Sequence, residues 1–193
     1  MFNGIIFYKG YVKKINKLKQ GWSIQIKSGM SLNKSDIGSS IACNGVCLTL
    51  EKTNKNLLTF FLSKETIQRT SFRFIKVNEE INLEKSLKYG QPISGHFTQG
   101  HVDCTAKITK INKIGKSWTI NFNLIKHKST FVIYKSSITI NGVSLTISKV
   151  FKKGFQVSVI PHTLKLTNLI KLKKANIVNV EFDMFAKYYK KIL

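Results

Sequence analysis

Hydrophobic and polar positions alternate along many short stretches of this chain, the pattern of β-strands with one buried face. Stretches rich in Ile, Phe, Trp, Val and Thr predict strands at about 22–27, 57–62, 106–112, 117–123 and 155–160. Asn44-Gly45 and Asn141-Gly142 each separate two such runs, which is the strongest short-range signal for a β-hairpin. Several short strands joined by turns predict a small closed barrel in each half of an all-β protein.

Helical segments are predicted at only three places. Short turns are expected after Met30 and around 64–69, and a C-terminal helix over 183–193, where Asp183 can act as its cap. This last helix would expose Phe185, Tyr188, Tyr189 and Leu193, which have nothing obvious to cover in their own domain. Packing against another subunit is one way to bury them.

The sequence is an internal repeat. Residues 40–50 read SIACNGVCLTL, and residues 137–147, 97 positions later, read SITINGVSLTI. The tripeptides 82–84 (NLE) and 179–181 (NVE) match at the same spacing, as do Thr66 and Thr163. This period is too long for a solenoid and fits two domains of about 95 residues each. We expect the domains to cover 1–97 and 98–193, with two similar pockets that suit a reaction between two similar molecules.

The chain is strongly basic, with a formal net charge of +23 from 32 basic and 9 acidic residues. Such a surface can bind phosphate groups. However, the only arginines are Arg69 and Arg73, and base recognition favours arginine. We therefore interpret the charge as a solvated lysine surface and expect no nucleic-acid partner.

Membrane and disulfide classes are also disfavoured. No stretch approaches the roughly 18 uncharged apolar residues that would span a bilayer, and no membrane partner is expected. The chain has an odd number of cysteines and no C-x-x-C pair, which argues against a disulfide framework; the cysteines are Cys43, Cys47 and Cys104. We expect a cytoplasmic protein.

The repeated hairpin carries the first candidate chemistry. Strand alternation places Cys47 and Thr49 on one face of their strand, and Ser144 and Thr146 on the equivalent face of the second copy. These thiol and hydroxyl groups can hydrogen-bond a flat heterocycle or a polyol. Alternatively, they simply face water, as outward strand positions do.

A second cluster lies in 94–104, where His96, His101, Asp103 and Cys104 are close in sequence. It resembles a metal site, but structural zinc sites usually draw ligand pairs from two separated segments. The remaining histidines, His127 and His162, have no such company, so we expect no metal. His101 remains a candidate for hydrogen bonding or proton transfer, because the ordinary pKa of histidine lies near neutrality. Neither a dinucleotide fingerprint nor a Walker motif occurs.

Six motifs in order resemble one known family, the riboflavin synthase alpha chains. They are MFNGII at 1–6, NGVCLT at 44–49, SGHFTQGHVD at 94–103, NGVSLT at 141–146, IPHTL at 160–164 and NVEFDMFAKY at 179–188. The match covers both halves of the chain. It implies two tandem six-stranded Greek-key barrels that bind lumazine, a C-terminal helix and a homotrimer.

The resemblance also implies a reaction. Two molecules of 6,7-dimethyl-8-ribityllumazine dismutate: one gives a four-carbon unit to the other, forming riboflavin and 5-amino-6-ribitylamino-uracil. No cofactor is implied. The two substrates must be held face to face, a task of proximity and orientation. In the family, the site lies between the N-terminal barrel of one subunit and the C-terminal barrel of a neighbour.

The resemblance carries two sets of site residues onto this chain. The N-terminal set is Gly4, Ile5, Ile6, Cys47, Leu48, Thr49, Phe61, Leu62, Ser63, Lys64, Glu65 and Thr66, together with Ser40. The C-terminal set is Gly100, His101, Val102, Lys135, Ser144, Leu145, Thr146, Ser158, Val159, Ile160, Pro161, His162 and Thr163. Within these sets, Cys47 and His101 are implied to act in catalysis. His101 would assist proton loss from the 7-methyl group, and Cys47 would stabilise or add to the ring.

Two other classes remain open at this stage. Antenna-type lumazine proteins share the duplicated fold but bind one lumazine or flavin without converting it. A nucleic-acid-binding barrel is suggested only by the charge. Association with a lumazine synthase is a further possibility that the sequence leaves undecided.

Overall fold

A computed structural model describes residues 1–125 and 129–192 of the chain. Within them, antiparallel strands form two closed barrels. The first barrel contains β1 (Tyr8–Leu18), β2 (Gly21–Ser28), β3 (Ser40–Cys43), β4 (Val46–Asn54), β5 (Leu57–Ser63) and β6 (Glu80–Lys85). The second contains β7 (Cys104–Ile114), β8 (Ser117–Ile125), β9 (Ser137–Ile140), β10 (Val143–Phe151), β11 (Gly154–Val159) and β12 (Ile177–Phe182).

Both barrels have the same strand order. In the first, the order around the barrel is β1-β2-β5-β4-β3-β6, and the second follows the same scheme with β7 to β12. Because β2 lies beside β5 and β3 beside β6, the chain crosses between non-consecutive strands, as in a Greek key. The predicted fold of two six-stranded barrels is confirmed. Strands β1, β6 and β12 were not predicted as strands; the last two were noticed only through the repeated tripeptides.

Each barrel is filled by its own apolar side chains. Alternate residues of β5 point inward, so that Leu58, Phe60 and Leu62 are fully buried while their neighbours are partly exposed. In the second barrel, Phe122 and Phe155 stack with ring centroids 5.2 Å apart. Each such aromatic ring contributes about 1.5–3 kcal/mol through removal from water. Since the interiors are packed, a ligand can bind only at the outer surface or the rim of a barrel.

The repeat extends to irregularities of the backbone. The strand register shifts between Val12 and Lys14, and again between Ile108 and Lys110, at matching places in the two barrels. A second matched pair of shifts follows Leu50 and Ile147. Such β-bulges bend the strand that carries them. The two halves therefore share the details of strand curvature as well as topology.

The predicted Asn-Gly hairpins are confirmed, and their tips meet where the barrels touch. Asn44 and Asn141 have positive φ angles of 46° and 47°, as their turn type requires. A Cβ on Gly45 would lie 2.6 Å from the backbone nitrogen of Gly142, so only glycine permits this approach. The two turns thus lie against each other at the approximate twofold axis between the barrels.

Asparagine side chains join the barrels across this axis in a reciprocal way. The Asn82 amide donates to the Asn141 carbonyl oxygen at 2.9 Å, and the Asn179 amide donates to the Asn44 carbonyl oxygen at 2.9 Å. All four residues are buried. Because unpaired buried amides are costly, these bonds fix the relative position of the barrels. This is the role of the asparagines in the repeated tripeptides.

The described residues contain three α-helices: α1 (Lys64–Arg69), α2 (Pro161–Leu166) and α3 (Met184–Ile192). Helices α1 and α3 lie where helical segments were predicted, whereas α2, the counterpart of α1 in the second half, was not predicted. The turn expected after Met30 is the 3₁₀ helix Lys34–Asp36. Asp183 caps α3 as predicted, because its carboxylate accepts from the Phe185 backbone N–H at 2.9 Å. Phe185, Tyr188 and Tyr189 are exposed. Leu193 lies outside the described residues, as does His127.

Candidate active site

Two segments that precede the barrels cross from one barrel to the other. The Ser144 backbone N–H on β10 donates to the Gly4 carbonyl oxygen at 2.8 Å, so residues 1–7 lie on the second barrel. The Cys47 N–H on β4 donates to the Gly100 carbonyl oxygen at 2.8 Å, so residues 98–103 lie on the first. Ile6 belongs to the second core, and Val102 packs against the first.

This crossing corrects the grouping of the site residues. The resemblance was used to assign Gly4, Ile5 and Ile6 to the first barrel, and Gly100, His101 and Val102 to the second. The structure places each triplet on the opposite barrel. Position in the sequence misled here because each segment contacts the opposite barrel before the chain enters the first strand of its own.

The first half-site therefore contains Cys47, Thr49 and the segment carrying His101. Cys47 is half-buried and Thr49 is exposed, while the alternate residues Leu48 and Leu50 are buried. The predicted alternation of faces is confirmed. His101 is exposed and follows Gly100, whose carbonyl is bonded to the Cys47 backbone. The thiol and the imidazole thus belong to one barrel.

The second half-site contains a hydrogen-bonded chain with no counterpart in the first. His96 Nδ1 lies 2.7 Å from Ser144 Oγ, and its Nε2 lies 3.2 Å from Thr139 Oγ1. Burial lowers the pKa of His96, although Asp183 opposes this effect, so the ring is neutral at neutral pH. A neutral imidazole donates from one nitrogen and accepts at the other, so His96 orients both hydroxyls, donating to one of Ser144 and Thr139 and accepting from the other.

A small cavity opens beside this chain. It has a volume of about 130 Å³ and is lined by Ile5, Phe7, Ser144, His162 and Thr163, among others. Pockets that enclose a drug-sized ligand measure roughly 300–1,000 Å³. This cavity can therefore hold only part of such a molecule, and the rest must lie against another surface.

Lys135 stands in a strained conformation. Its φ is +67°, in the left-handed region, whereas the matching position in the first half is Gly38 with φ +91°. Both backbone N–H groups bond an equivalent carbonyl, of Ile147 and Leu50 respectively. A side chain in this region costs about 1–2 kcal/mol relative to glycine. Lys55 and Ala175 adopt the same region, with φ angles of +54° and +74°, so the conformation by itself assigns no function to the Lys135 side chain.

Comparison with known proteins agrees with this geometry. The family model described as "Lumazine binding domain" matches twice, over residues 3–86 and 99–183. The chain belongs to the lumazine-binding domain family. Riboflavin synthase of Photobacterium leiognathi is 35% identical over 100% of this chain and 89% of its own length. Riboflavin synthase of Bacillus subtilis is 34% identical over 100% of this chain and 90% of its own.

Solved structures show the same fold. The crystal structure of LumP complexed with riboflavin has a TM-score of 0.83 and 26% identity, and it covers 94% of this chain and 99% of its own. The structure of LumP complexed with 6,7-dimethyl-8-(1'-D-ribityl) lumazine has a TM-score of 0.81 and 25% identity, covering 94% of this chain and 98% of its own. Membership of the lumazine-binding domain family thus extends to the three-dimensional structure.

The other predicted site residues divide into two groups. Some point into a barrel core, so that only their backbone can face a ligand: Ile6, Leu48, Leu62, Leu145 and Val159. Others are exposed or half-buried at the surface: Ile5, Ser40, Phe61, Ser63, Lys64, Glu65, Thr66, Val102, Thr146, Ser158, Ile160, Pro161, His162 and Thr163. The helices also differ: Ser63 caps α1 and its hydroxyl lies 3.0 Å from Thr66 Oγ1, whereas Ile160 precedes α2.

The histidines and acids of 94–104 do not form one cluster. His96 bonds Ser144 and Thr139, while the Asp103 carboxylate accepts from the Phe182 N–H and pairs with Lys187 at 3.0 Å. Cys104 is buried, which raises its pKa to about 12. Among the residues that the structure describes, no three such side chains converge to hold a metal ion.

One further cleft lies away from the predicted site residues. A cleft of about 440 Å³ between the barrels is lined by Glu80, Asn168 and Lys171 and contains none of the predicted site residues. Within 1–125 and 129–192, no helix is long and apolar enough to cross a membrane.

Sequence reasoning missed the role of three residues. His96 was considered only as a metal ligand, although it bonds Ser144 across 48 positions of sequence. Glu84 and Glu181 were noticed only as repeat markers. Each carboxylate accepts from two backbone N–H groups of a crossing segment. Their recurrence in both halves was a usable signal, because buried carboxylates without a pairing role are rare.

Proposed function

We propose that this protein is a riboflavin synthase. It converts two molecules of 6,7-dimethyl-8-ribityllumazine into riboflavin and 5-amino-6-ribitylamino-uracil by transfer of a four-carbon unit. The two products together contain all the atoms of the two substrates, so the reaction needs no added oxidant, reductant or co-substrate. Full-length similarity to riboflavin synthases of several bacteria carries this proposal.

The duplicated barrels suit this reaction because it consumes two identical molecules. One lumazine would lie at Cys47 and Thr49 of the first barrel, and the other at Ser144 and Thr146 of the second. Holding two reactants in register can supply about 7–11 kcal/mol of the barrier reduction. Ribityl hydroxyls would be bound by backbone groups of the core-facing residues and by Thr66 or Thr163.

Residues with different chemistry would act on the two substrates. His101 would assist proton loss from the 7-methyl group, and Cys47, on the same barrel, would stabilise or add to the ring. Ser144, oriented by its hydrogen bond with His96, would bind a polar atom of the second lumazine. Lys135 would place a positive charge near this second site.

The active site would form between two chains, the N-terminal barrel of one and the C-terminal barrel of another, in a homotrimer. Two observations support contact with another chain. The aromatic residues of α3 are exposed, with Phe185 at 63%, Tyr188 at 59% and Tyr189 at 66%. The cavity at Ser144 holds only part of a ligand. Sedimentation of the intact chain, compared with one truncated before 184, tests whether α3 holds the trimer together.

The remaining expectations follow from this function. The enzyme would act in the cytoplasm without a resident cofactor, and the domains would divide at 97/98. Association with a lumazine synthase, which would supply the substrate, is testable by co-purification of the two enzymes.

The decisive experiment is to incubate the purified protein with 6,7-dimethyl-8-ribityllumazine alone and follow riboflavin by absorbance. One riboflavin formed per two substrates consumed is the expected result. Tight binding without product would identify an antenna protein instead. If no binding occurs, the basic surface becomes the functional one, and salt-dependent binding of nucleic acid should then be measured.

A further inference from the structure

The two crossing segments are each anchored by a buried carboxylate. Glu84 on β6 accepts from the backbone N–H groups of Asn3 at 2.7 Å and Gly4 at 3.1 Å. Glu181 on β12 accepts from Gln99 at 2.7 Å and Gly100 at 2.9 Å. The glutamates are only 7% and 3% exposed. Two successive N–H groups that converge on one buried carboxyl group hold the segment at two adjacent points.

Each anchor acts directly before the crossing reaches the other barrel. The Gly4 carbonyl accepts from Ser144, and the Gly100 carbonyl accepts from Cys47, both at 2.8 Å. The peptide groups on either side of each glycine are therefore bonded to different barrels. A shift of the anchor by a fraction of an ångström is passed on to the opposite half-site, because these bonds weaken with poor geometry.

The glycines permit this arrangement by their lack of a side chain. Gly4 and Gly100 have φ angles of +73° and +77°, and an added Cβ at either would lie 2.7 Å from the Cβ of Ser144 or Cys47. Because of the positive φ angle and the short contact, any other residue at either position would be strained. Gly4 therefore packs tightly against Ser144, and Gly100 packs tightly against Cys47.

We propose that Glu84 and Glu181 are positioning residues that act crosswise: Glu84, in the first barrel, orients Ser144 of the second, and Glu181, in the second barrel, orients Cys47 and His101 of the first. Each half-site therefore depends on a carboxylate of the other barrel. A direct bridge between the segments reinforces this link, since Phe2 and Thr98 exchange two backbone hydrogen bonds of 2.8 and 3.1 Å.

Hydrogen exchange of the full-length protein tests the crossing without any substrate. We expect Glu84→Gln to raise amide exchange in residues 1–7 and at Ser144, while Cys47 stays protected. Glu181→Gln should raise exchange in 98–103 and at Cys47, while Ser144 stays protected. Glu51→Gln, an exposed change on β4, is the matched control. Faster exchange confined to each glutamate's own barrel would overturn the proposal.

Gly4→Ala and Gly100→Ala provide a second pair of variants in case a glutamate variant fails to fold. They disturb the same contacts from the side of the crossing segment. Each should reproduce the exchange pattern of the glutamate that anchors it. If Gly4→Ala instead raised exchange at Cys47, the crosswise assignment would be wrong.

A kinetic test rests on the proposed function. Glu84→Gln should lower kcat/KM about tenfold, because glutamine has one side-chain oxygen to accept from the two N–H groups and leaves one of them without its bond. In the Glu84→Gln background, Ser144→Ala should lower kcat/KM much less than it does in the wild type, because both changes disturb one site. Adding Cys47→Ser should instead multiply the losses. If Glu84 had a merely structural role, the losses in kcat/KM would multiply in both double variants. An inactive wild type would reject the proposed function but leave the hydrogen-exchange result valid.

Discussion

The two half-sites have the same backbone arrangement but differ in the side chains exposed on it. In the first barrel Cys47 lies opposite Ala42 on the neighbouring strand, whereas in the second Ser144 lies opposite Thr139. Only the second has an imidazole, His96, bridging these positions. Only the second has a charged side chain, Lys135, where the first has Gly38.

This difference suits a dismutation. Two identical molecules must play unlike parts, one giving a four-carbon unit and the other receiving it. Identical sites would treat them alike, so the side chains must supply the distinction. Duplication explains the common frame, and divergence at a few outward positions explains the two roles.

The largest expected effect comes from Cys47 and His101, the proposed catalytic pair of the first half-site. His101→Ala should lower kcat by roughly 10²–10⁴-fold, the usual contribution of a positioned proton-transfer group. Substrate affinity, followed by lumazine fluorescence, should change little. Cys47→Ser should also lower kcat. Full turnover with unchanged binding in both variants would contradict these roles.

A smaller effect is expected in the second half-site. His96→Ala should lower kcat/KM about tenfold, because Ser144 loses the hydrogen bond that orients its hydroxyl. Ser144→Ala should have a similar effect, and the double variant should lose little more than either alone. Steady-state kinetics of the three variants decide the matter. Multiplying losses would mean that His96 and Ser144 act independently.

Lys135→Gly would make the second half resemble the first. Relief of the left-handed strain exceeds the added chain entropy, so we expect the free energy of unfolding to rise by about 0.5–1 kcal/mol. Activity should fall, because the positive charge is lost. The reciprocal change Gly38→Lys should destabilise the protein. Urea denaturation measures both, and a Lys135→Gly variant of unchanged activity would remove lysine from the site.

The smallest expected effect is the pH dependence of stability caused by Glu84 and Glu181, which are common to both halves. Burial raises the pKa of Glu84 and of Glu181 from 4.5 to about 7, although the hydrogen bonds from the backbone oppose this. Between pH 4.5 and about 7, these two glutamates ionise in the unfolded chain but remain protonated in the folded protein. Their contribution to stability is therefore complete below pH 4.5 and is lost as the pH rises through 7.

Neighbouring charges modify this dependence. The N-terminal amino group lowers the pKa of Glu84, while Lys187 lowers and Asp103 raises that of Glu181. The lowered pKa of His96 acts in the opposite sense, adding stability as the pH rises. Comparing the Tm of Glu84→Gln with that of the wild type from pH 5 to 8 isolates the carboxyl. The difference should shift in favour of the glutamine variant as the pH rises; a constant difference would contradict the raised pKa.

Much of the fold could be predicted from sequence because its signals are local. The Asn-Gly turns, the alternation around Cys47 and the cap at Asp183 each depend on residues within a few positions of one another. The crossing of residues 1–7 could not be predicted, because a repeat matches positions within each half and carries no information on which barrel a segment contacts. The bond from His96 to Ser144 was missed for the same reason.

Under the proposed function, riboflavin forms where two unlike half-sites from different chains meet. The most direct test is to co-express His101→Ala and Ser144→Ala chains with different tags, isolate the mixed oligomers, and measure riboflavin formation from the lumazine substrate. We predict that His101→Ala alone is nearly inactive and Ser144→Ala alone about tenfold less active than the wild type. Mixed oligomers should exceed both parents, at sites that combine an intact first half from one chain with an intact second half from another. Mixed oligomers no more active than either parent would contradict the claim.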